Sequence, residues 1–430
     1  MQTYIIQVIG PTHYMDTEFL IDGKRRRAKL ACEAVRQHLE EQGNSPKVIL
    51  LTPESSVTFV AEDAETAATL LRDWRKLASS ISKECTQRGW VEDGATVSVI
   101  QSTGQQKHNN YILSIDNHVD NIITHLTLEL INTIPADSKI FYITTTGLNI
   151  YVIAALEAIR QCQLYHKLAT LIEEKTTETE LLFHPQVYPD TETPIQTTEY
   201  STRVFFEFKK ASANELFNSP QIRRQLHETL QDINREVNTV ELCFNAVKYC
   251  IPLAIQHLVS NQIHTQTILD KLKQVLEIAE QQRNITVENK HVHVKRHRVV
   301  KNIAINILVA AALAHPLGRI KEITDKTEGK LEELAKTFKT VYEKLQMGIN
   351  QRFLEREVEA ILEKAKIQVG EEKLLEELSE GRGSKDKKRN FFAHAGFLKE
   401  YTLIKNTGGG LTARYDPSRL DEIRNWLLNP

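Results

Sequence analysis

No stretch of the 430-residue sequence is apolar for long enough to span a bilayer. The apolar run Asn306 to Ala314 is short and predicts a buried helix instead. Met1-Gln2-Thr3-Tyr4 leads straight into a β-rich run without a signal-peptide pattern, so a cytoplasmic location and no membrane partner are expected. Cysteine is scarce. Cys32, Cys85, Cys162, Cys243 and Cys250 are scattered, odd in number and never spaced Cys-x-x-Cys. That argues against a disulfide framework and for reduced, buried thiols. Net charge is close to zero, at −2, so no overall basic signature points to nucleic acid. Any polyanion site must come from local clusters. A Gly-x-Gly-x-x-Gly string after the first strand is missing, which disfavours a nicotinamide-dependent enzyme, and no Walker A string occurs.

What is present reads as an ordinary soluble globular chain, 41% hydrophobic and 26% charged, long enough for two or three domains. Tyr4 to Ile9, Lys47 to Leu51, Thr96 to Ile100 and Lys139 to Ile143 are β-rich runs of the kind buried on both faces of a parallel sheet. Helical patterns alternate with them: Gly23 to Gln42 with a basic start at Lys24-Arg25-Arg26-Arg27, then Ala61 to Arg88, Val119 to Ile134 and Ile150 to Tyr165. This alternation predicts a doubly wound α/β domain with right-handed crossovers. Leu181-Leu182-Phe183 and Val204 to Phe208 should complete its sheet, with Pro185, Pro189 and Pro194 between them.

From Ala211 to about Ser379 only helix-period segments are evident. Tyr401 to Ile404 and Leu411 to Tyr415 flank Gly408-Gly409-Gly410 and predict a β-hairpin, followed by a short helix from Leu420 to Leu428. The expected fold is therefore α/β plus all-α. A Rossmann-like domain covers 1–209, and a helical domain with a small hairpin covers 210–430.

Ligands of open α/β sheets bind at strand carboxyl ends, at a switch in strand order. Two loops fall there. Gly10-Pro11-Thr12 follows the first strand, and Thr144-Thr145-Thr146-Gly147-Leu148-Asn149 follows the fourth. Gly147 lets backbone N–H groups approach a phosphate. The hydroxyls can donate, and Asn149 can cap the helix or meet the ligand. The candidate ligand residues are Gly10, Pro11, Thr12, Thr145, Thr146, Gly147 and Asn149. A simple turn with a cap is the competing reading.

A second cluster lies near the end of the chain. Lys388-Arg389-Asn390-Phe391-Phe392-Ala393-His394-Ala395-Gly396-Phe397 has no helix breaker before Gly396 and predicts the start of a helix behind a basic loop, Gly381 to Lys388. Asn390 and His394 are one turn apart and share a face, while Arg389 can reach from the helix entrance. Free N–H groups and the helix dipole there favour a phosphate. A cation, an amide and an imidazole around one anion suit phosphodiester cleavage, so Arg389, Asn390 and His394 are the catalytic candidates. Spacing alone is weak evidence, because Arg160 and His166 stand almost the same distance apart.

Other clusters are weaker. Lys290 to Arg298 holds four cations with His291, His293 and His297, and a basic face on RNA or a solvated surface outweighs a metal site. No metal site and no cofactor are expected. His315-Pro316 reads as a helix end, and Glu371 to Glu380 as a charged, solvated helix.

The string Arg389-Asn390-Phe391-Phe392-Ala393-His394 resembles the active-site helix of HEPN ribonucleases, and Ala395-Gly396-Phe397-Leu398 looks like the version found in CRISPR-associated ribonucleases of type III systems. There a CRISPR-associated Rossmann-fold (CARF) domain precedes the HEPN domain. Thr144 to Asn149 is similar to the CARF ligand loop, and Glu18 to Gly23 to that domain's opening. His is common where Thr145 stands, so the resemblance leaves ring-degrading activity of the first domain open. It implies a homodimer, or a higher even oligomer, with cyclic oligoadenylate (tetra-adenylate preferred) as activator and single-stranded RNA as substrate. It also implies metal-independent endoribonuclease chemistry in antiviral defence, giving 2′,3′-cyclic phosphate and 5′-OH ends. The alternative is a ligand-sensing regulator that binds nucleic acid without cutting it.

Overall fold

The computed structural model describes the chain except residues 11, 13, 92–94, 109, 146–148, 174, 176, 188–190, 203–211, 260–264 and 379–385. The expected strand Val204 to Phe208, the boundary at 209/210 and the basic loop before Lys387 lie wholly or largely outside the described residues.

The first half runs β1 (Gln2–Val8), β2 (Thr17–Ile21), β3 (Lys24–Ala28), α1 (Ala31–Glu41), β4 (Lys47–Pro53), α2 (Ala64–Arg72), α3 (Trp74–Gln87) and β5 (Thr96–Ile100). It continues through β6 (Gly104–Lys107), β7 (Ile112–Asp116), α4 (Val119–Thr133), β8 (Ser138–Ile143), α5 (Asn149–Ala169), β9 (Glu178–Phe183), β10 (Glu192–Pro194) and β11 (Gln196–Glu199). The main sheet has the order β11-β9-β8-β1-β4-β5. It is parallel apart from β11 against β9. The chain leaves β1 toward β4 and later returns to its other side at β8. The switch in strand order thus falls between β1 and β8, at the loops where a ligand is expected.

Two helix readings need correction. Lys24 to Ala28 is strand, not the basic start of a helix. Asp22 and Gly23, with φ of 50° and 75°, form the two-residue turn of a β2–β3 hairpin, a conformation that Asp-Gly adopts readily. The segment Ala61 to Arg88 is two helices, because Asp73 breaks it and caps α3 by accepting the Lys76 N–H.

The second half holds α6 (Pro220–Gln225), α7 (His227–Lys248), α8 (Pro252–Leu258), α9 (Thr265–Gln281), β12 (Asn284–Glu288), β13 (His291–Lys295), α10 (Lys301–Asp325) and α11 (Leu331–Lys344). Then come α12 (Gly348–Lys364), β14 (Glu372–Leu374), α13 (Lys387–Ala393), β15 (Thr402–Asn406), β16 (Leu411–Tyr415) and α14 (Leu420–Leu428). The C-terminal hairpin and helix stand where the sequence places them.

The middle is not purely helical. Ile285, Val287, Val292 and Val294 alternate with polar residues across the two-residue turn Asn289-Lys290, whose φ values are 48° and 64°. β13 then pairs in parallel with β7, giving a sheet β12-β13-β7-β6 with two strands from each half. His291 and His293 stack on the outer face of β13, 5.1 Å apart. Glu372 to Leu374 is a strand against β15 and Leu375 to Leu378 a 3₁₀ turn, not a solvated helix. Pro316 lies inside α10 rather than ending it.

Although no unbroken apolar run of the sequence is long enough to span a bilayer, α10 is, among the described residues, the one helix long and apolar enough on average to cross a membrane. It packs against α4, α5, α7, α8, α9 and α11, and Ala304, Ile307, Ala311 and Leu317 on it are buried. Its apolar surface is consumed by the core. That core is continuous from one face of the main sheet through α4 and α5 into the helical half. All five cysteines are buried and free.

A buried ionic cluster reinforces this junction. Arg296, just after β13, reaches Glu54 with two bonds of 2.7 Å. Glu54 directly follows the carboxyl end of β4, and its side chain is fully buried. Arg296 also meets Glu280 of α9 at 2.9 Å.

Candidate functional site

α13 is docked by its apolar residues. Phe391 is fully buried and lies against Trp426 at 5.4 Å, and Phe392 lies against Tyr249 at 5.1 Å. Asp386 caps the helix by accepting the Arg389 N–H at 3.0 Å, and its carbonyl takes the Asn390 N–H at 3.1 Å. The expected anion site at this helix entrance is therefore already served by a carboxylate, and the helix is only seven residues long.

His394 stands at the other end, as the C-terminal cap. Ala395 (φ 50°) and Gly396 (φ 82°) follow in left-handed conformations, and the Gly396 N–H returns to the Phe391 carbonyl at 2.9 Å. This is a Schellman turn. Position 396 must be glycine, since a Cβ there would meet Ile251 Cγ2 at 2.4 Å and the Tyr415 hydroxyl at 2.7 Å. The His-Ala-Gly string thus closes the helix and fixes where the imidazole emerges.

The His394 side chain is 53% exposed, and its Nδ1 lies 3.1 Å from Oε2 of Glu357 on α12. The Glu357 side chain is only 15% exposed, and its other oxygen is 3.5 Å from Arg356. Nothing in the sequence flagged Glu357, which lies 37 positions before the histidine. With Nδ1–H donating to the carboxylate, Nε2 remains as the acceptor toward solvent. At ~100° per residue, Asn390 and His394 lie within ~40° of each other around the helix, and Arg389 lies ~140° away from His394. Arg389 is exposed, and its guanidinium has no partner among the described residues. One chain therefore places Asn390 and His394 on the same side of the helix and leaves the Arg389 guanidinium in solvent.

The decoy pair separates cleanly. Arg160 is bound to Glu157, while His166 is buried against Thr177 at 3.1 Å and is pushed down to about 4 by burial.

At the carboxyl edge of the main sheet, the buried Gly10 donates its N–H to the Tyr14 hydroxyl at 3.1 Å. Thr12 is exposed and folds back on the Gly10 carbonyl at 2.9 Å. Thr144 spends both its N–H and its hydroxyl on the Leu182 carbonyl, at 3.0 and 3.1 Å. Thr145 accepts the His184 N–H at 3.1 Å, which leaves its own hydroxyl hydrogen to donate. Asn149 is exposed on the first residue of α5. Pro11, Thr146 and Gly147 lie outside the described residues. A cavity of about 180 Å³ beside this edge is lined by Pro53, Ser55, Thr103, Gln105, Gln106 and Tyr151.

Two family profiles match the chain. The one described as CRISPR system endoribonuclease Csx1, CARF domain, covers residues 4–185, and the one for the HEPN domain of the same endoribonuclease covers 348–417. The chain belongs to the CARF–HEPN family of CRISPR-associated endoribonucleases. No curated protein matches the sequence. The two edge loops fall within the CARF match, and Glu357, Arg389, Asn390 and His394 within the HEPN match. The CARF match (4–185) is that of a ligand-sensing domain, and the HEPN match (348–417) that of a ribonuclease with an RNA substrate. The segment from 186 to 347, with α6 to α11 and the β12–β13 hairpin, belongs to neither match.

Proposed function

We propose that this CARF–HEPN chain is a cyclic-oligoadenylate-activated, metal-independent endoribonuclease that cleaves single-stranded RNA in type III CRISPR antiviral defence within the cytoplasm. The observation that carries the reading is the exposed His394, held by Glu357 inside the HEPN match, on the same chain as a CARF edge with a free Thr145 hydroxyl. In the proposed reaction the ribose 2′-OH attacks the adjacent phosphorus and the 5′-oxygen leaves. His394 Nε2 serves as general base or acid, being the exposed ring nitrogen left over by the Glu357 contact on Nδ1. Arg389 clamps and neutralises the phosphate, and Asn390 orients it. The products carry 2′,3′-cyclic phosphate and 5′-OH ends, and DNA is not cut.

A ring of identical nucleotides is symmetric, so two copies of the edge loop in a two-fold dimer can grip it. The same axis would set two His394 sites together and supply Arg389 from both sides. Labelled single-stranded RNA in EDTA, with and without cyclic tetra-adenylate, tests this. His394→Ala and Arg389→Ala are each expected to lower cleavage at least ~10²-fold while the fold persists. Wild-type rates in His394→Ala would refute the assignment.

A further inference from the structure

We infer that Glu357 is a positioning residue that fixes the tautomer and the orientation of His394; this rests on the catalytic reading of His394. The contact is tertiary, between helices far apart in sequence, and its geometry is prepared in advance. α12 buries Leu354, Val358 and Ile361, and its first turn is tied to the end of α7, with Asn350 donating to the Lys248 carbonyl at 2.9 Å and accepting from the Cys250 thiol at 3.2 Å. Glu357 therefore projects from a fixed helix, while His394 is fixed by the Schellman turn. The 3.1 Å approach of Oε2 to Nδ1 joins two rigid mounts. Arg356 competes poorly for the carboxylate, at 3.5 Å and with a side chain 75% exposed. A carboxylate on Nδ1 keeps the hydrogen there, aims Nε2 outward, and favours the imidazolium once a proton is taken. It touches neither RNA nor the reacting atoms.

The charged and titratable groups around the pair come from several elements. α12 supplies Arg356 at Glu357, the Cys250 thiol lies within electrostatic reach of Glu357, and α13 carries Lys388, bonded to the Asn429 carbonyl, and Arg389, with Lys248 on the end of α7 over the Tyr249 ring. None of the others bonds the imidazole among the described residues.

The test uses the full chain, labelled single-stranded RNA and saturating cyclic tetra-adenylate. Glu357→Gln keeps the shape and accepts the same hydrogen, but removes the charge. It should lower kcat about 10-fold with KM unchanged. Glu357→Ala should lower kcat further, and Glu357→Asp should recover part of the loss. In parallel, nitrogen NMR of histidine-labelled wild type, with His394 identified by its loss in His394→Asn, should show the hydrogen on Nδ1. A hydrogen on Nε2, or a Glu357→Gln enzyme with unchanged kcat beside an inactive His394→Ala, would overturn the positioning role and leave the nuclease reading standing. Full activity of His394→Ala would bring both down.

Discussion

Replacing Arg296 by methionine isolates what holds the two halves at their junction. The guanidinium spans Glu54, fully buried behind β4, and Glu280 on α9, with contacts of 2.7 and 2.9 Å. Without it, Glu280 keeps Arg283 at 3.2 Å, but Glu54 is left with the Ser102 N–H at 2.9 Å and no cation. Breaking a buried pair from one side costs about 3–5 kcal/mol, mostly as the penalty of the orphaned charge. Arg296→Met should therefore destabilise the junction by that amount, and Glu54→Gln in the same chain should recover most of it. Trp74 is a local reporter, since its ring lies 5.8 Å from the Arg296 guanidinium and 5.9 Å from that of Arg283. Urea unfolding followed by its fluorescence, with Trp90 and Trp426 replaced by phenylalanine, gives the midpoint. An Arg296→Met midpoint indistinguishable from the parent, or strictly additive losses in the double variant, would refute the argument.

Three further outcomes are expected. Gly396→Ala should destabilise the HEPN half by about 1–3 kcal/mol, because a positive φ and two close contacts oppose the methyl group. It should also lower cleavage by displacing His394, and differential scanning calorimetry with an RNA assay reads both. His166 is held at about 4 by burial, below its ordinary 6.5, so its neutral form stabilises the fold above pH 6.5. That contribution, up to about 3 kcal/mol, is lost as pH falls from 6.5 toward 4, and His166→Asn should flatten this part of a pH–stability curve. Thr145→Val should weaken cyclic tetra-adenylate binding by about 1–2 kcal/mol in calorimetry, since the hydroxyl left free by His184 is removed.

The parallel core of the first domain was readable because β1, β4 and β8 are buried on both faces and so carry unbroken apolar runs. Its hairpins were less visible for a physical reason. β3 is Lys-Arg-Arg-Arg-Ala, whose charges mimic a helix start, and only the Asp22-Gly23 turn betrays it. β12 and β13 did carry a strict alternation around Asn289-Lys290, but the histidines and cations drew the eye to a surface cluster. The catalytic candidates were found through a local string. Glu357 was not, because a single carboxylate in a charged helix has no local signature and acquires its role only when α12 and α13 pack. The helix start near Lys388 was legible and stands at Lys387, but with no breaker before Gly396 the early stop at Ala393, closed by a Schellman turn, was not visible.

The packing also says where a signal between the two sites could travel. Glu54 follows the carboxyl end of β4, and its neighbours Pro53 and Ser55 line the cavity at the ligand edge. Arg296 carries that position into α9 through Glu280, α9 packs on α10, α10 packs on α8, and Ile251 at the head of α8 abuts Gly396, two residues from His394. The β7–β13 pairing ties the two halves together by backbone hydrogen bonds as well. Coupling requires an element whose equilibrium both sites bias, and this route makes α10 the candidate. Arg296→Met should then bring the ratio of ring-stimulated to basal cleavage toward one, while His394-dependent basal cleavage survives. The measurement is a cyclic tetra-adenylate titration of cleavage rate in parent and variant, at a temperature where both are folded. A destabilised variant with the parent's full stimulation ratio would show that the signal bypasses the ionic junction and travels by another route.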